Sequence, residues 1–350
     1  MSSLFHNSNS KRVVDSTRPY LILEAGINHN GQIDLAKKMI DLAKQLSADA
    51  IKFQTFKAVE FCGDRKQMFT YTSQGQSITE SMIEMFSRYE FSKDEWSEIA
   101  KYCNKSGITF LSTPQNLSDL QMLDELGIPA IKVGSDDLTN TPLIRSYSEF
   151  GKPIILSSGM SNLSEIYLAI EAAGWYEGKD VTILLCTSLY PTYPKDAGVS
   201  RIRTLSSAFP GIRVGFSDHT IGSNAAVLAL ALGARVFEKH FTLDHQLAGP
   251  DHWFSASPVE IEKWIKAIRE SWIILGDSQL QPLPNEIENK GEFQRKIVAL
   301  RTINIGETYT NQNIGLRRVA GGFGLKPEHL DLLLGKISHA QYFAGDQIEF

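Results

Sequence analysis

From Tyr20 onward, short continuous apolar runs alternate with stretches in which apolar residues recur every three or four positions. The runs fall at residues 20–25, 49–53, 108–111, 130–133, 153–156, 181–185, 213–216 and 235–237. None alternates apolar with polar, which is the pattern of a strand covered on both faces in a parallel sheet. The stretches between them have helical spacing. Residues 34–45, for example, place Leu35, Met39, Ile40 and Ala43 on one stripe. Further helices are predicted at 93–105, 117–125, 142–150, 162–173, 199–208 and 224–232. The last long one, 258–275, opens with a proline in its first turn. Strand and helix repeating over about 260 residues predict a closed (β/α)8 TIM barrel, an α/β fold, rather than an open doubly wound sheet. No Gly-x-Gly-x-x-Gly follows the first strand, which weakens the open-sheet alternative.

Outside the repeat the pattern changes in three places. Residues 1–18 are polar with no apolar stretch, so they read as a flexible tail rather than a secretory signal. Residues 57–91, rich in Gln, Ser, Thr and Met, read as a loop that covers a substrate at the barrel top. The barrel is expected to span 19–276. Pro282 and Pro284 mark residues 277–292 as a linker, and 293–350, with β runs at 297–301, 303 and 348, as a small mostly-β domain.

Composition narrows the function classes. An apolar fraction of 42% and an aromatic fraction of 10% describe a packed protein. A net charge of -5 without a basic block argues against nucleic acid as a partner. No apolar run is long enough to span a membrane. Three cysteines without metal-type spacing suit a reducing cytoplasm, and Cys186 reads as a small hydrophobe inside a strand.

The expected chemistry lies where strands run out into loops, at the C-terminal face of a barrel. Those points carry Glu24 and Asn28, Lys52 and Gln54, and Ser112-Thr113-Pro114. Next come Lys132, Ser135 and Asp137, then Ser157, then Ser188 and Tyr190, then Ser217 and His219, and last Glu238 and His240. A single histidine there could merely finish its strand. Two on adjacent strands, joined by one helix within 222–234, can hold a divalent cation facing a cavity. Two lysines ringed by hydroxyls supply charge and donors for an anion. Together they suggest a metal-assisted reaction between a phosphorylated small molecule and a carbonyl compound. Asp251, in Gly249-Pro-Asp251-His252, could orient the metal shell or a substrate hydroxyl, or cap the helix that follows.

The blocks Glu24-Ala-Gly-Ile-Asn-His29-Asn-Gly, Lys52-Phe-Gln54-Thr, Lys132-Val-Gly-Ser135, Leu156-Ser-Ser-Gly-Met, Cys186-Thr-Ser-Leu-Tyr190-Pro, Gly215-Phe-Ser-Asp-His219-Thr and Glu238-Lys-His240-Phe-Thr, in that order, resemble the bacterial sialic acid synthase family. That family includes N-acetylneuraminate, legionaminate and pseudaminate synthases. The tail, with Leu316-Arg-Arg318 and Leu334-Gly-Lys336, is similar to its antifreeze-like (SAF) domain. The resemblance implies a transferase that condenses phosphoenolpyruvate with an N-acetylmannosamine-type sugar, with C–O cleavage and phosphate release. It implies Mn2+ or Mg2+ on His219 and His240, and a catalytic set of Glu24, Lys52, Glu238 and Asp251. Lys52, Thr113, Lys132, Ser135, Ser157, Ser188 and Ser217 would hold phosphoenolpyruvate. Gln54, Asp137 and Tyr190 would contact the sugar, and Arg318 its N-acyl side. It also implies a domain-swapped homodimer in which Arg318 completes a partner's cavity. Phe53 and Phe56 stand where many members have His, Asp137 where they have Glu, and Ser188 where many have Asn. These departures bear on the sugar, so a 6-deoxy diacetamido acceptor stays open beside N-acetylmannosamine. Two other readings remain: a metal-dependent aldolase using pyruvate, and a non-catalytic sugar-binding protein.

Overall fold

The computed structural model describes residues 18–319 and 324–349. Ten strands precede the tail: β1 (Tyr20–Gly26), β2 (Ala50–Thr55), β3 (Met68–Ser73), β4 (Gln76–Ser81), β5 (Thr109–Pro114), β6 (Ile131–Val133), β7 (Ile154–Ser157), β8 (Val181–Cys186), β9 (Arg213–Ser217) and β10 (Val236–His240). All but β3 and β4 belong to one 8-stranded sheet in the order β5-β2-β1-β10-β9-β8-β7-β6. Every ladder in it is parallel. The first and last strands of the repeat, β1 and β10, pair with each other, so the sheet curls into a nearly closed TIM-like barrel. The eight strands expected from the apolar runs are these eight.

Strand alternation sorts the side chains into an outer shell and two inner storeys. Leu21, Leu23, Ile51, Phe53, Ile131, Val133, Leu156, Leu185, Phe216 and Phe237 point outward and pack in one core with the surrounding helices. The lower inner storey is an apolar cluster of Tyr20, Ile22, Ala50, Leu111, Ala130, Ile155, Leu184 and Val236, with Gly215 completing it on β9. Two residues further along each strand the inward positions are Glu24, Lys52, Thr113, Lys132, Ser157, Cys186, Ser217 and Glu238, all buried. The polar storey therefore sits on an apolar floor.

The helices follow the predicted stripes. Ile33–Gln45, Lys93–Ser106, Leu117–Glu125, Thr141–Ser148, Leu163–Ala172, Arg201–Ala208, Asn224–Ala231 and Pro258–Leu275 alternate with the barrel strands. Ser92, Asn162 and Ser257 start three of them with reciprocal capping bonds to Glu95, Glu165 and Glu260. No helix among the described residues is long and apolar enough to cross a membrane.

Three stretches differ from the sequence reading. The segment at 57–91 is no open loop. It holds helix Ala58–Phe61, the β3–β4 hairpin and helix Met82–Ser87. The presumed linker holds helix Pro284–Phe293, because Pro284, read as a breaker, occupies a first-turn position where its missing N–H costs nothing. Of the polar tail, Arg18 is described and pairs with Asp49 at 3.0 Å, while residues 1–17 lie outside the described residues.

The chain divides into two compact units, the second beginning at Asp277. In the second, β11 (Arg295–Ala299) and β12 (Ile314–Arg318) form an antiparallel pair over a small core of Ile297, Ile303, Tyr309, Ile314, Leu333 and Ile348. β12 escaped the sequence reading because Ile314 and Leu316 are its only two apolar residues.

Candidate active site

Two histidines meet because two strands can approach closely. At Gly215 an added Cβ would lie 2.3 Å from the Val236 carbonyl oxygen and 2.4 Å from Leu184 Cδ2. Only glycine lets β9 seat against β10 there. Further along, His219 and His240 face each other with ring centroids 5.5 Å apart. His219 Nδ1 donates to the Thr187 carbonyl oxygen at 2.8 Å, which turns Nε2 toward the cavity as an acceptor. Burial, with the charges of His219 and Lys52, holds His240 well below the usual imidazole range and so neutral. For His219 burial acts the same way, but Cys186 and Thr187 outweigh it and raise its pKa. The buried Nδ1 of His240 has no hydrogen-bond partner.

Beside the imidazoles runs a chain of alternating charge. Lys52 Nζ lies 2.8 Å from Glu24 Oε2 and 3.7 Å from Glu238 Oε2. Lys132 Nζ lies 3.7 Å from Glu238 Oε1 and donates to Ser157 Oγ at 2.7 Å. Lys52 also donates to Thr113 Oγ1 at 2.9 Å. Four ionisable groups buried in one storey would be costly unpaired, and each here has an opposite charge within 3.7 Å. Burial raises the Glu24 carboxyl to about 7, although Lys52 opposes it. Burial acts on Glu238 too, but Lys132 and Lys52 overcome it and bring its pKa to about 2. Burial lowers Lys132, whereas at Lys52 Glu238 and Glu24 prevail over burial and raise it.

Gly26, at φ 53, leaves open a point where other groups converge. A Cβ there would be 3.5 Å from Asp251 Oδ2, 3.6 Å from Glu24 Oε1 and 3.6 Å from His240 Cε1. Burial raises Asp251 to about 7. The helix after it is capped by Ser257, which removes the capping explanation for Asp251. These observations fit a divalent cation held by the two imidazoles: one Nε2 freed by the tautomer, one neutral ring and a carboxylate close by. Among the described residues no group of three or more His, Cys, Asp or Glu side chains is arranged to hold a metal ion, so the two imidazoles are the residues that would hold it.

The residues surround a cavity of about 660 Å³. Glu24, Lys52, Gln54, Thr113, Lys132, Ser135, Ser157, Ser188, Tyr190, Ser217, His219, Glu238, His240 and Asp251 all line it. Their hydrogen bonds refine the expected roles. Ser217 Oγ donates to Glu238 Oε1 at 3.1 Å, so it braces the carboxylate. Ser135 Oγ accepts from Gly159 N at 3.0 Å, while the buried Ser188 Oγ has no partner. Gln54 Nε2 reaches Glu24 Oε1 at 3.5 Å. The Tyr190 ring lies 4.2 Å from that of His219, and burial raises the pKa of its hydroxyl.

Asp137 is a correction. Its carboxylate accepts from Asn140 Nδ2 at 3.0 Å, and Asp136 lines the cavity in its place. Cys186 is buried within β8 as expected, and its side chain faces the cavity with Sγ 4.0 Å from His219 Nδ1. Arg318 lies in the second unit, exposed at the end of β12 and registered opposite Arg295.

The segment at 57–91, expected to cover a substrate, does border the cavity, but the side chains it brings there were not foreseen. Phe56, Phe61, Phe69, Tyr71, Met85 and Phe86 line it, all from the segment after β2. The available signal was a Gln74-Gly75 turn, with φ 51 and 76, between runs that alternate in side-chain character. The hairpin is tied across the mouth to the last βα loop. Gly249 N donates to Ser73 Oγ at 3.0 Å, and Gln74 Nε2 to the Gln246 carbonyl oxygen at 2.7 Å.

Residues 39–280 match the NeuB family. The chain belongs to that family. Among NeuB-type relatives it is 35% identical to the N,N'-diacetyllegionaminic acid synthase of Campylobacter jejuni, over 92% of this chain and 96% of that one. It is 33% identical to the N-acetylneuraminate-9-phosphate synthase of Mus musculus, over 91% of this chain and 88% of that one. The crystal structure of an N-acetylneuraminic acid synthetase from Leptospira borgpetersenii superposes with a TM-score of 0.70 at 33% identity, covering 79% of this chain and 92% of that one.

Proposed function

We propose that this NeuB-family chain is a nonulosonic acid synthase, a transferase that joins phosphoenolpyruvate to the open-chain aldehyde of an N-acylated aminohexose. The observation that carries this reading is the buried Glu24–Lys52–Glu238–Lys132 chain ending beside two facing imidazoles. One cavity thus offers an anion two lysines, and two imidazoles that could hold a cation able to polarise a carbonyl oxygen.

In the reaction, C3 of the enolpyruvate bonds to the aldehyde carbon and the aldehyde oxygen takes a proton. Water adds at C2. The bond from C2 to the phosphate ester oxygen then breaks, phosphate leaves with the electron pair, and a 2-keto acid remains. Lys52 and Lys132, with Thr113, Ser135, Ser157 and Ser188, hold the phosphate and carboxylate and stabilise the departing charge. Glu24 is placed to take the proton of the added water, and burial has brought its carboxyl near the range that such a base needs. Glu238 keeps both lysines charged and aligned, and Asp251 orients a hydroxyl near His240. A divalent metal, Mn2+ or Mg2+, on His219 and His240 would supply Lewis-acid polarisation of the aldehyde oxygen. Gln54, Asp136 and Tyr190 face the sugar. The second unit is read as an antifreeze-like domain, with Arg318 reaching the N-acyl side of a substrate in a partner subunit.

The test is a panel of N-acylated hexosamines with phosphoenolpyruvate and Mn2+, following phosphate release and product mass. A product equal to acceptor plus pyruvate, with one phosphate released per turnover, supports the synthase. Turnover with pyruvate but not phosphoenolpyruvate would make the chain an aldolase. Sugar binding without turnover from either donor would make it a binding protein.

A further inference from the structure

Above the polar storey the barrel strands present a further inward level. Gln54 stands above Lys52, Gln115 above Thr113, Ser188 above Cys186, His219 above Ser217 and His240 above Glu238, and all five line the cavity. Four of them have a part in the chemistry described so far. Gln115 has none.

Gln115 is the first residue beyond β5 and is only 9% exposed. Its Oε1 is buried and has no hydrogen-bond partner among the described residues. The backbone around it is fixed. Gln115 N donates to the Thr55 carbonyl oxygen at 3.0 Å, and the Tyr147 hydroxyl donates to the Pro114 carbonyl oxygen at 3.1 Å. On the other side Asn116 N donates to Asp119 Oδ2 at 3.0 Å, at the start of helix Leu117–Glu125. A glutamine kept for the fold would bond to such neighbours, because a buried amide oxygen without a partner is destabilising. Here the main chain is held and the side-chain oxygen is left facing a ligand cavity.

Its position in the ring says which ligand. In the order β5-β2-β1-β10-β9-β8-β7-β6, β9 is the fourth strand from β5 in either direction round the nearly closed barrel. Gln115 therefore stands across the cavity from His219. On the synthase reading, on which this inference rests, the aldehyde end of the acceptor lies at His219 and His240. The rest of the open chain has the width of the cavity to cross. We infer that Gln115 is an acceptor-binding residue, whose Oε1 accepts a hydrogen bond from a hydroxyl of that chain. It selects the sugar and takes no part in holding phosphoenolpyruvate, whose anion site is the lysine storey below.

The experiment compares the parent with Gln115→Met, which keeps the length of the side chain and removes its hydrogen-bonding end. With the fastest acceptor of the hexosamine panel, acceptor kcat/KM should fall about 10-fold, the usual effect of one neutral hydrogen bond, while the KM for phosphoenolpyruvate stays the same. The urea midpoint should hold or rise, because the substitution removes an unpartnered buried amide. Acceptors lacking one hydroxyl each then locate the bond. For one of them the parent should lose a similar 10-fold and Gln115→Met nothing further. Unchanged acceptor kcat/KM in Gln115→Met, a raised KM for phosphoenolpyruvate, or a lowered urea midpoint overturns the inference while the synthase reading stands. Equal kcat/KM for all the deoxy acceptors with the unaltered protein does the same, however the variant folds. Absence of phosphate release by the parent with every acceptor overturns both.

Discussion

Asp218 and Lys239 form a buried ion pair of 3.3 Å, and each immediately precedes one of the two cavity histidines. Because side chains alternate, the pair sits on the outer side of β9 and β10 while the imidazoles face inward. Trp264 Nε1 donates to Asp218 Oδ2 at 2.8 Å, and Lys239 Nζ donates to the Thr220 carbonyl oxygen at 2.5 Å. The two strand ends are thus clamped from behind by helix Pro258–Leu275. Lys239→Met would strand a buried carboxylate and should cost about 3–5 kcal/mol, measured by urea unfolding. The double variant Lys239→Met/Asp218→Asn should recover much of that stability. Its Mn2+ affinity, followed by titration calorimetry, should remain weakened because the clamp on the histidines is gone. Equal Mn2+ binding by the double variant and the parent would show that the clamp does not position them.

Lys52 and Lys132 are expected to separate in their effects from the residues that face the sugar. Lys132→Met should raise the KM for phosphoenolpyruvate and lower kcat by about 100-fold or more, since both bound and departing phosphate lose a charge partner. Gln54→Ala should raise the acceptor KM and leave that for phosphoenolpyruvate nearly unchanged. Steady-state phosphate release with each substrate varied in turn reads both. An unaltered KM for phosphoenolpyruvate in Lys132→Met would remove this lysine from the anion site.

His29 and His252 make stability depend on pH with a definite sign. Burial holds His29 at about 3 and His252 at about 4, against about 6.5 in an unfolded chain. Between those values the unfolded chain binds more protons, so each histidine's contribution is full above about pH 6.5 and shrinks as the pH falls toward its folded value. Glu24 and Asp251, both raised to about 7, push the opposite way over part of this range, so the total slope is not diagnostic. The difference between the parent and His29→Gln is. It should change by about 1.4 kcal/mol per pH unit below pH 6.5, read from urea midpoints at several pH values. Parallel curves would mean that His29 is not held neutral in the fold.

If Arg318 completes a partner's cavity, two damaged chains should rescue each other. Arg318→Ala and His219→Ala, each inactive alone, should regain about half of the parent's activity when co-expressed with separate tags and purified as hybrids, because one of the two sites is then intact. Hybrids with no activity would restrict Arg318 to its own chain or remove it from the site.

The barrel was legible because each of its strands is one continuous apolar run, and a strand buried on both faces has no other way to be written. The polar storey was legible for the same reason in reverse. Lys52, Lys132 and Glu238 interrupt such runs near their ends, where a charge must have a partner. Strand periodicity failed where it stops applying. Beyond β6 the backbone turns, so alternation could not tell Asp136 from Asp137. The covering segment at 57–91 was legible as an insertion, but its hairpin was not, because Gln-Gly is a weaker turn signal than Asn-Gly and its rings are spread across 56–86. Helix Pro284–Phe293 was masked by prolines whose meaning depends on position: the same residue that ends one helix begins another.

The two bonds that join the hairpin to the loop of Gly249 couple the aromatic roof to the segment bearing Asp251. Any displacement of the roof would therefore be passed to the carboxyl that converges with Glu24 and His240 on the open side of Gly26.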